Sequence, residues 1–192
     1  MKKRKAPFFE AENEAAFYGP KIDIQMKNFA GKEETAFTVQ YDFVASKRFN
    51  LSYIDKDGAK KEPIVIHRSS IGAVERTLAF LIEHYAGAFP LWLSPVQAWI
   101  IPISEKHRKY CDTIYKKLLK ENLRIELRDE NESMGKKIRE SELQKIPYSL
   151  IIGDKEIKAK SVGTRDRKTG KTKMMKLDKF IEKLQKEIRL KK

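Results

Sequence analysis

The chain has 192 residues, and its 41 Lys and Arg against 27 Asp and Glu leave a formal charge of +14 and a pI near 9.7. Such an excess favours a polyanionic partner, a nucleic acid or an anionic membrane surface, while lysines spread along the chain also suit a merely soluble protein. Mean hydropathy is −0.60 and no apolar run reaches the roughly 18 residues of a membrane span, which excludes a spanning helix. The single cysteine, Cys111, excludes an internal disulfide framework and fits a reducing compartment.

The opening MKKRK has the charge of a secretory n-region, but APFFEAENEAA stands where an apolar segment would follow, so a cytoplasmic setting is expected. KIDIQMK alternates Ile22, Ile24 and Met26 with polar residues and predicts a strand. TAFTVQYDFV predicts a second, with Phe37, Val39, Tyr41 and Phe43 on one face. DKDGAKK predicts a turn around Gly58, and PIVIH a third strand. A helix follows, its stripe of Ile71, Val74, Leu78, Leu81, Ile82 and Tyr85 at helical spacing and Ser69 or Ser70 as N-cap.

Gly87, Pro90 and Pro95 in AGAFPLWLSPVQ mark a boundary between two domains, 1–90 and 91–192. Beyond it VQAWIIPI predicts a strand, residues 104–121 a helix with Cys111, Ile114 and Leu118 inward, LRIEL a strand and residues 135–146 a helix. PYSLII predicts a strand, two short strands fall near 161–165 and 171–176, and a last helix over 178–190 carries Phe180, Ile181, Leu184 and Ile188. This alternation predicts an α/β (α+β) chain whose second domain is a sheet with parallel neighbours covered by helices. The first domain, several strands and a single long helix, is too small in elements to close a core and is expected to depend on a partner segment.

One stretch asks for a chemical explanation. In IVIHRSSIGAVERTLAFLIEHY a strand hands over to a helix through His67 and Arg68, with Arg76 one turn into the helix. Strand ends and helix N-termini gather polar groups and unpaired N–H donors, which suits an anionic ligand as well as a capped helix on a basic surface.

AFYGPKIDI, TVQYDF, IHRSSIGAVER, LIEHYAGAFPLWLSPVQ, MGKKIRE and GDKE together, in that order, resemble the threonyl-tRNA synthetases, class II aminoacyl-tRNA ligases. The resemblance covers nearly all of residues 14–189. It implies that the first domain is the end of a class II catalytic core, an antiparallel sheet with the helix of the third class II motif, and that the second is a mixed-sheet anticodon-binding domain. It further implies ATP with Mg²⁺ forming threonyl-adenylate, transfer of threonine to its tRNA, and a homodimeric enzyme.

By the same resemblance Arg76 packs on and contacts ATP, which a planar, permanently charged guanidinium can do and an ammonium cannot. Tyr18, Lys21 and Gln40 match residues lining the threonine pocket, although buried tyrosines and glutamines also commonly just satisfy core hydrogen bonds. His67 matches a ligand of the zinc that reads the threonine hydroxyl; the family's other two ligands have no counterpart here, and one imidazole cannot make a zinc site. Asn131, Glu156 and Arg165 match anticodon readers, with Arg139 and the lysines near Gly135 on phosphates. Departures fall at Thr35-Ala36-Phe37, where the family commonly has Gln-Cys-Gly, at Ala73 in place of Ser, and at Glu130 in place of Arg. The first two class II motifs are absent from these residues. The chain is therefore expected to be a C-terminal segment that forms no adenylate alone, or else a stand-alone binder of the tRNA anticodon.

Overall fold

A computed structural model describes residues 2–192, with the backbone alone for Lys2; Met1, which the sequence leaves open as a chain start, lies outside the described residues. The chain divides into two units, one ending at Phe80 and one running Leu81–Lys192.

In the first unit β1 (Lys21–Lys27), β2 (Glu33–Asp42) and β5 (Val65–Arg68) form an antiparallel sheet in the order β1-β2-β5. Between β2 and β5 lie the short helix α1 (Ala45–Arg48) and the hairpin of β3 (Tyr53–Ile54) and β4 (Lys60–Lys61), turned at the expected Gly58. The helix α2 (Val74–Tyr85) follows.

Two expectations about faces are corrected. On β2 the buried residues are Ala36, Gln40 and Asp42, whereas Tyr41 and Phe43 of the apolar set are exposed. On α2 the predicted inward stripe is turned to solvent at Val74, Leu78 and Ile82, and Phe80, off the stripe, is buried. The periodicities are real, but nothing among the described residues covers these faces. Ala36 and Phe80 are the only buried apolar side chains of this unit among the described residues. The helix start also differs: α2 begins at Val74, and Ser69 Oγ instead accepts the Gly72 N–H at 2.7 Å, closing the turn ahead of it.

The second unit has the core that the first lacks. Its strands are β6 (Ala98–Pro102), β7 (Ile125–Leu127), β8 (Tyr148–Ile152), β9 (Ser161–Asp166) and β10 (Thr172–Lys176), ordered β10-β9-β8-β6-β7. β6 is parallel to both β7 and β8, and the remaining pairs are antiparallel. Its helices are α3 (Arg108–Lys120), α4 (Met134–Leu143), the short α5 (Asp154–Lys158) and α6 (Leu177–Arg189). Alternation along β6 splits the core: Ala98 and Ile100 pack with Cys111, Ile114 and Leu118 of α3 and Phe180, Ile181 and Leu184 of α6, while Trp99 and Ile101 face Ile138 and Ile146.

The Pro-rich segment is stapled to this sheet. Leu91 lies in the main core, the Gln97 side chain donates to the Leu91 carbonyl at 3.0 Å, and Arg124 donates to the carbonyls of Trp92 and Ser94 at 3.0 and 2.9 Å. Arg167 donates to the Phe89 carbonyl at 2.9 Å.

A fragment of residues 86–192 should therefore melt cooperatively, and a fragment starting at residue 95 should be roughly 2–5 kcal/mol less stable by urea denaturation, having lost the buried Leu91 and the carbonyls that Arg124 and Arg167 need. Equal midpoints would show that the stapled segment adds nothing. Burial pushes the Cys111 thiol up to about 12. At about pH 8 a thiol reagent should leave native protein unlabelled and react once urea unfolds it, because the thiolate is the nucleophile.

Candidate functional site

Strand register gathers three of the residues expected at the first site, and a ring contact adds a fourth. Lys21 pairs with Gln40 and Gln40 with His67, so the three stand in one row across β1, β2 and β5. Tyr18 meets the end of that row edge-on, its ring centroid 6.1 Å from that of His67. Gln40 is buried, and its Nε2 donates to the Gly19 carbonyl at 3.1 Å, which holds the turn carrying Tyr18. Lys21 Nζ lies 2.6 Å from Asp23, whose other oxygen accepts the Thr38 hydroxyl at 2.6 Å. Partial burial pushes the Asp23 carboxyl up, but Lys21 and Thr38 outweigh it and leave the group below its ordinary value.

Sequence reasoning missed Asp42. One of its oxygens lies 2.8 Å from His67 Nε2, and the other accepts the N–H groups of Val44 and Ala45, so a single carboxylate starts α1 and orients the imidazole. The His67 ring and these backbone donors hold its carboxyl below the usual range. That arrangement leaves His67 Nδ1 as the nitrogen open to a metal. Among the described residues no three His, Cys, Asp or Glu side chains come together to hold one. This donor set does not fit zinc by itself.

Arg76 is placed by the loop before α2. Gly72 has φ +74°, and a Cβ there would stand 2.0 Å from the Ala36 carbonyl oxygen, so the loop can cross β2 this closely only with glycine. Ser69 N donates to the Thr38 carbonyl at 3.0 Å, and Arg76 Nη1 donates to the Thr35 carbonyl at 2.8 Å. One edge of the guanidinium is anchored, and the exposed side chain keeps its planar face and remaining N–H groups for a ligand.

In the second unit Asn131 is exposed on the turn before α4, two residues ahead of the N-cap Ser133. That turn is held from beneath: the Arg128 guanidinium stacks 3.9 Å from the Trp99 ring centroid and pairs with Glu130 and Glu140, and the buried Lys137 donates to the Arg128 carbonyl at 2.8 Å. Glu156 and Arg165 share a sheet face. Glu156 Oε1 lies 3.4 Å from where a Cβ on Gly163 would sit, and Arg165, two residues along β9, points to the same side. Arg165 is held by Glu142 at 2.7 Å and by the Gly170 carbonyl.

Residues 3–85 match the model described as tRNA synthetase class II core domain (G, H, P, S and T), and residues 97–187 match the model described as Anticodon binding domain. Together with the antiparallel sheet of the first unit and the mixed sheet of the second, these matches define a chain of the class II aminoacyl-tRNA synthetases. It is 53% identical over 184 residues to the threonine–tRNA ligase of Clostridium botulinum (strain Eklund 17B / Type B), covering 96% of this chain and 29% of that protein. The ligase of Listeria monocytogenes is 50% identical over 182 residues, 94% of this chain and 28% of its own length. The solved RNA binding domain of threonyl-tRNA synthetase from Cryptosporidium parvum Iowa II matches with a TM-score of 0.80 at 38% identity, covering 90% of this chain and 44% of that one. The prolyl-tRNA synthetase of Cryptosporidium parvum, at 22% identity and a TM-score of 0.73 over 95% of this chain and 39% of that one, shares the fold. The chain belongs to the threonine–tRNA ligase family, and it spans under a third of the length of the curated relatives it matches.

Gly72→Ala should speed amide exchange at Ser69 and destabilise the loop by roughly 1–3 kcal/mol, since its Cβ would strike the β2 backbone. Gly135→Ala is the control. A Cβ at Gly135 meets nothing within 4 Å, so this change should leave Ser69 exchange untouched and stabilise by about 0.5 kcal/mol.

Proposed function

We propose that this chain supplies the end of the catalytic core and the anticodon-reading domain of a threonine–tRNA ligase, divided at about residue 90. The complete enzyme would use ATP with Mg²⁺ to join threonine to its tRNA through threonyl-adenylate, as a homodimer in the cytoplasm. In this reading Tyr18, Lys21 and Gln40 line the threonine pocket and Arg76 lays its free face on the ATP adenine. His67, oriented by Asp42, supplies one imidazole toward zinc, and its remaining partners lie outside this chain. Adenylate formation needs preorganised charge around the α-phosphate, which these residues do not provide alone.

The observation that carries the RNA half of the reading is the pairing of an acceptor, Glu156, with a bidentate donor, Arg165, on one sheet face of a strongly basic chain. Splayed single-stranded bases are read by such pairs, with Asn131 offering both a donor and an acceptor from the turn before α4. A second reading, a stand-alone tRNA-anticodon binder, is favoured by the closed core of Leu81–Lys192 beside the exposed apolar side chains of the first unit.

Both readings are tested by RNA binding. The chain should bind a hairpin bearing a threonine anticodon more tightly than one with that loop scrambled, both weakening with salt at a slope near −0.7 per phosphate contacted. Arg165→Ala should remove roughly 1–3 kcal/mol of the difference. A lysine change on α4 should weaken both hairpins alike. Equal binding at about 150 mM salt, unchanged by Arg165→Ala, would leave only a non-specific basic surface.

A further inference from the structure

Glu156 can serve as a base acceptor only if its carboxylate is held in one orientation, because a free glutamate side chain samples many rotamers. One of its oxygens is held. Oε2 accepts the Gly153 N–H at 3.0 Å, while Oε1 faces the Gly163 side of β9. The reading geometry therefore rests on where the Gly153 amide points, and that depends on the strand end Ile152–Gly153–Asp154.

A second element grips that strand end. After β6 the chain makes a 3-10 turn over Glu105–His107, and Ile103 N donates to the Ile152 carbonyl at 2.9 Å. Ser104 N donates to His107 Nδ1 at 3.1 Å, so the ring proton sits on Nε2, and Nε2 lies 3.2 Å from Asp154 Oδ1. The imidazole is buried, with a side-chain exposure of 3%. Lys106 Nζ meets the other Asp154 oxygen at 2.8 Å from the solvent side. Packing closes the grip: a Cβ on Gly153 would lie 2.6 Å from Ile103 Cδ1.

We propose that His107 and Asp154 are positioning residues for anticodon reading, clamping the start of α5 so that the Gly153 amide holds the Glu156 carboxylate toward the base. Neither touches the RNA. The proposal rests on the reading of Glu156 as a base acceptor. Its mark is loss of discrimination with little loss of general affinity, since the clamp sets the direction of one acceptor and leaves the phosphate contacts in place.

The test is a double-mutant cycle on the full chain, with the threonine-anticodon hairpin and the scrambled hairpin as probes and thermal melting in parallel. Asp154 is largely exposed, so Asp154→Ala should fold. It should reduce the affinity ratio roughly two- to tenfold and speed exchange of the Gly153 amide, and in a Glu156→Ala background it should change the ratio no further. Asp154→Asn keeps an oxygen for His107 Nε2–H and should restore most of the ratio. Lys106→Ala should weaken both hairpins equally. If Glu156→Ala lowers the ratio and Asp154→Ala does not, the clamp is refuted while the reading of Glu156 stands. An unchanged ratio in Glu156→Ala refutes that reading and the clamp with it. Effects that add in the double variant would show that Asp154 acts elsewhere than through Glu156.

Discussion

All five residues of β6 are buried, and the second unit depends on the parallel pairing of this strand with β8. A parallel pair must be joined by crossovers, and its apolar faces must be covered on both sides. Alternation sends Ala98 and Ile100 to the α3–α6 side and Trp99 and Ile101 to the α4 side, so one short strand commits two layers of helix. The residues proposed to face RNA then follow from where the covered strands stop. Asn131 sits on the turn into α4, Glu156 just past the end of β8, and Arg165 on the antiparallel neighbour β9.

The first unit obeys a different balance. Its sheet is held on the polar face by side-chain hydrogen bonds, with Gln40 on the Gly19 carbonyl, Thr38 on Asp23 and Asp42 on two backbone amides. The opposite face carries Ile22, Tyr41, Phe43 and Ile66, all exposed. Contiguous exposed apolar surface of this kind marks an interface. A polar face that is already organised beside an apolar face that is not covered fits a segment of a longer enzyme better than a self-sufficient domain.

The charge excess acts through placement. Several basic groups that matter to local geometry are already engaged: Arg128 with Glu130 and Glu140, Arg165 with Glu142, and Lys21 with Asp23. Exposed pairs of this type contribute little to stability, but they fix the direction in which a planar donor points. Glu130 shows how one such pair acts. Burial pushes its carboxyl up, the turn's backbone N–H and Arg128 pull it down further, and it remains an ionised partner that steadies the turn bearing Asn131.

Much was legible from residue order alone. The strand at KIDIQMK, the turn at Gly58, the inward Cys111, Ile114 and Leu118 and the stripe of α6 are local patterns that appear where they are expected, although the β1 register shifts between Ile24 and Gln25 and Ile22 and Met26 stay exposed. The family motifs likewise belong to the linear chain. What the sequence could not determine is which of two faces finds a partner, because periodicity defines a face without saying what covers it; hence the exposed side of α2 and the buried Gln40 and Asp42. Nor could it show that Lys21, Gln40 and His67 share a row, that Asp42 reaches His67, or that His107 reaches Asp154. Those contacts join residues up to 47 positions apart, and strand register and close packing, which only the folded chain possesses, decide them.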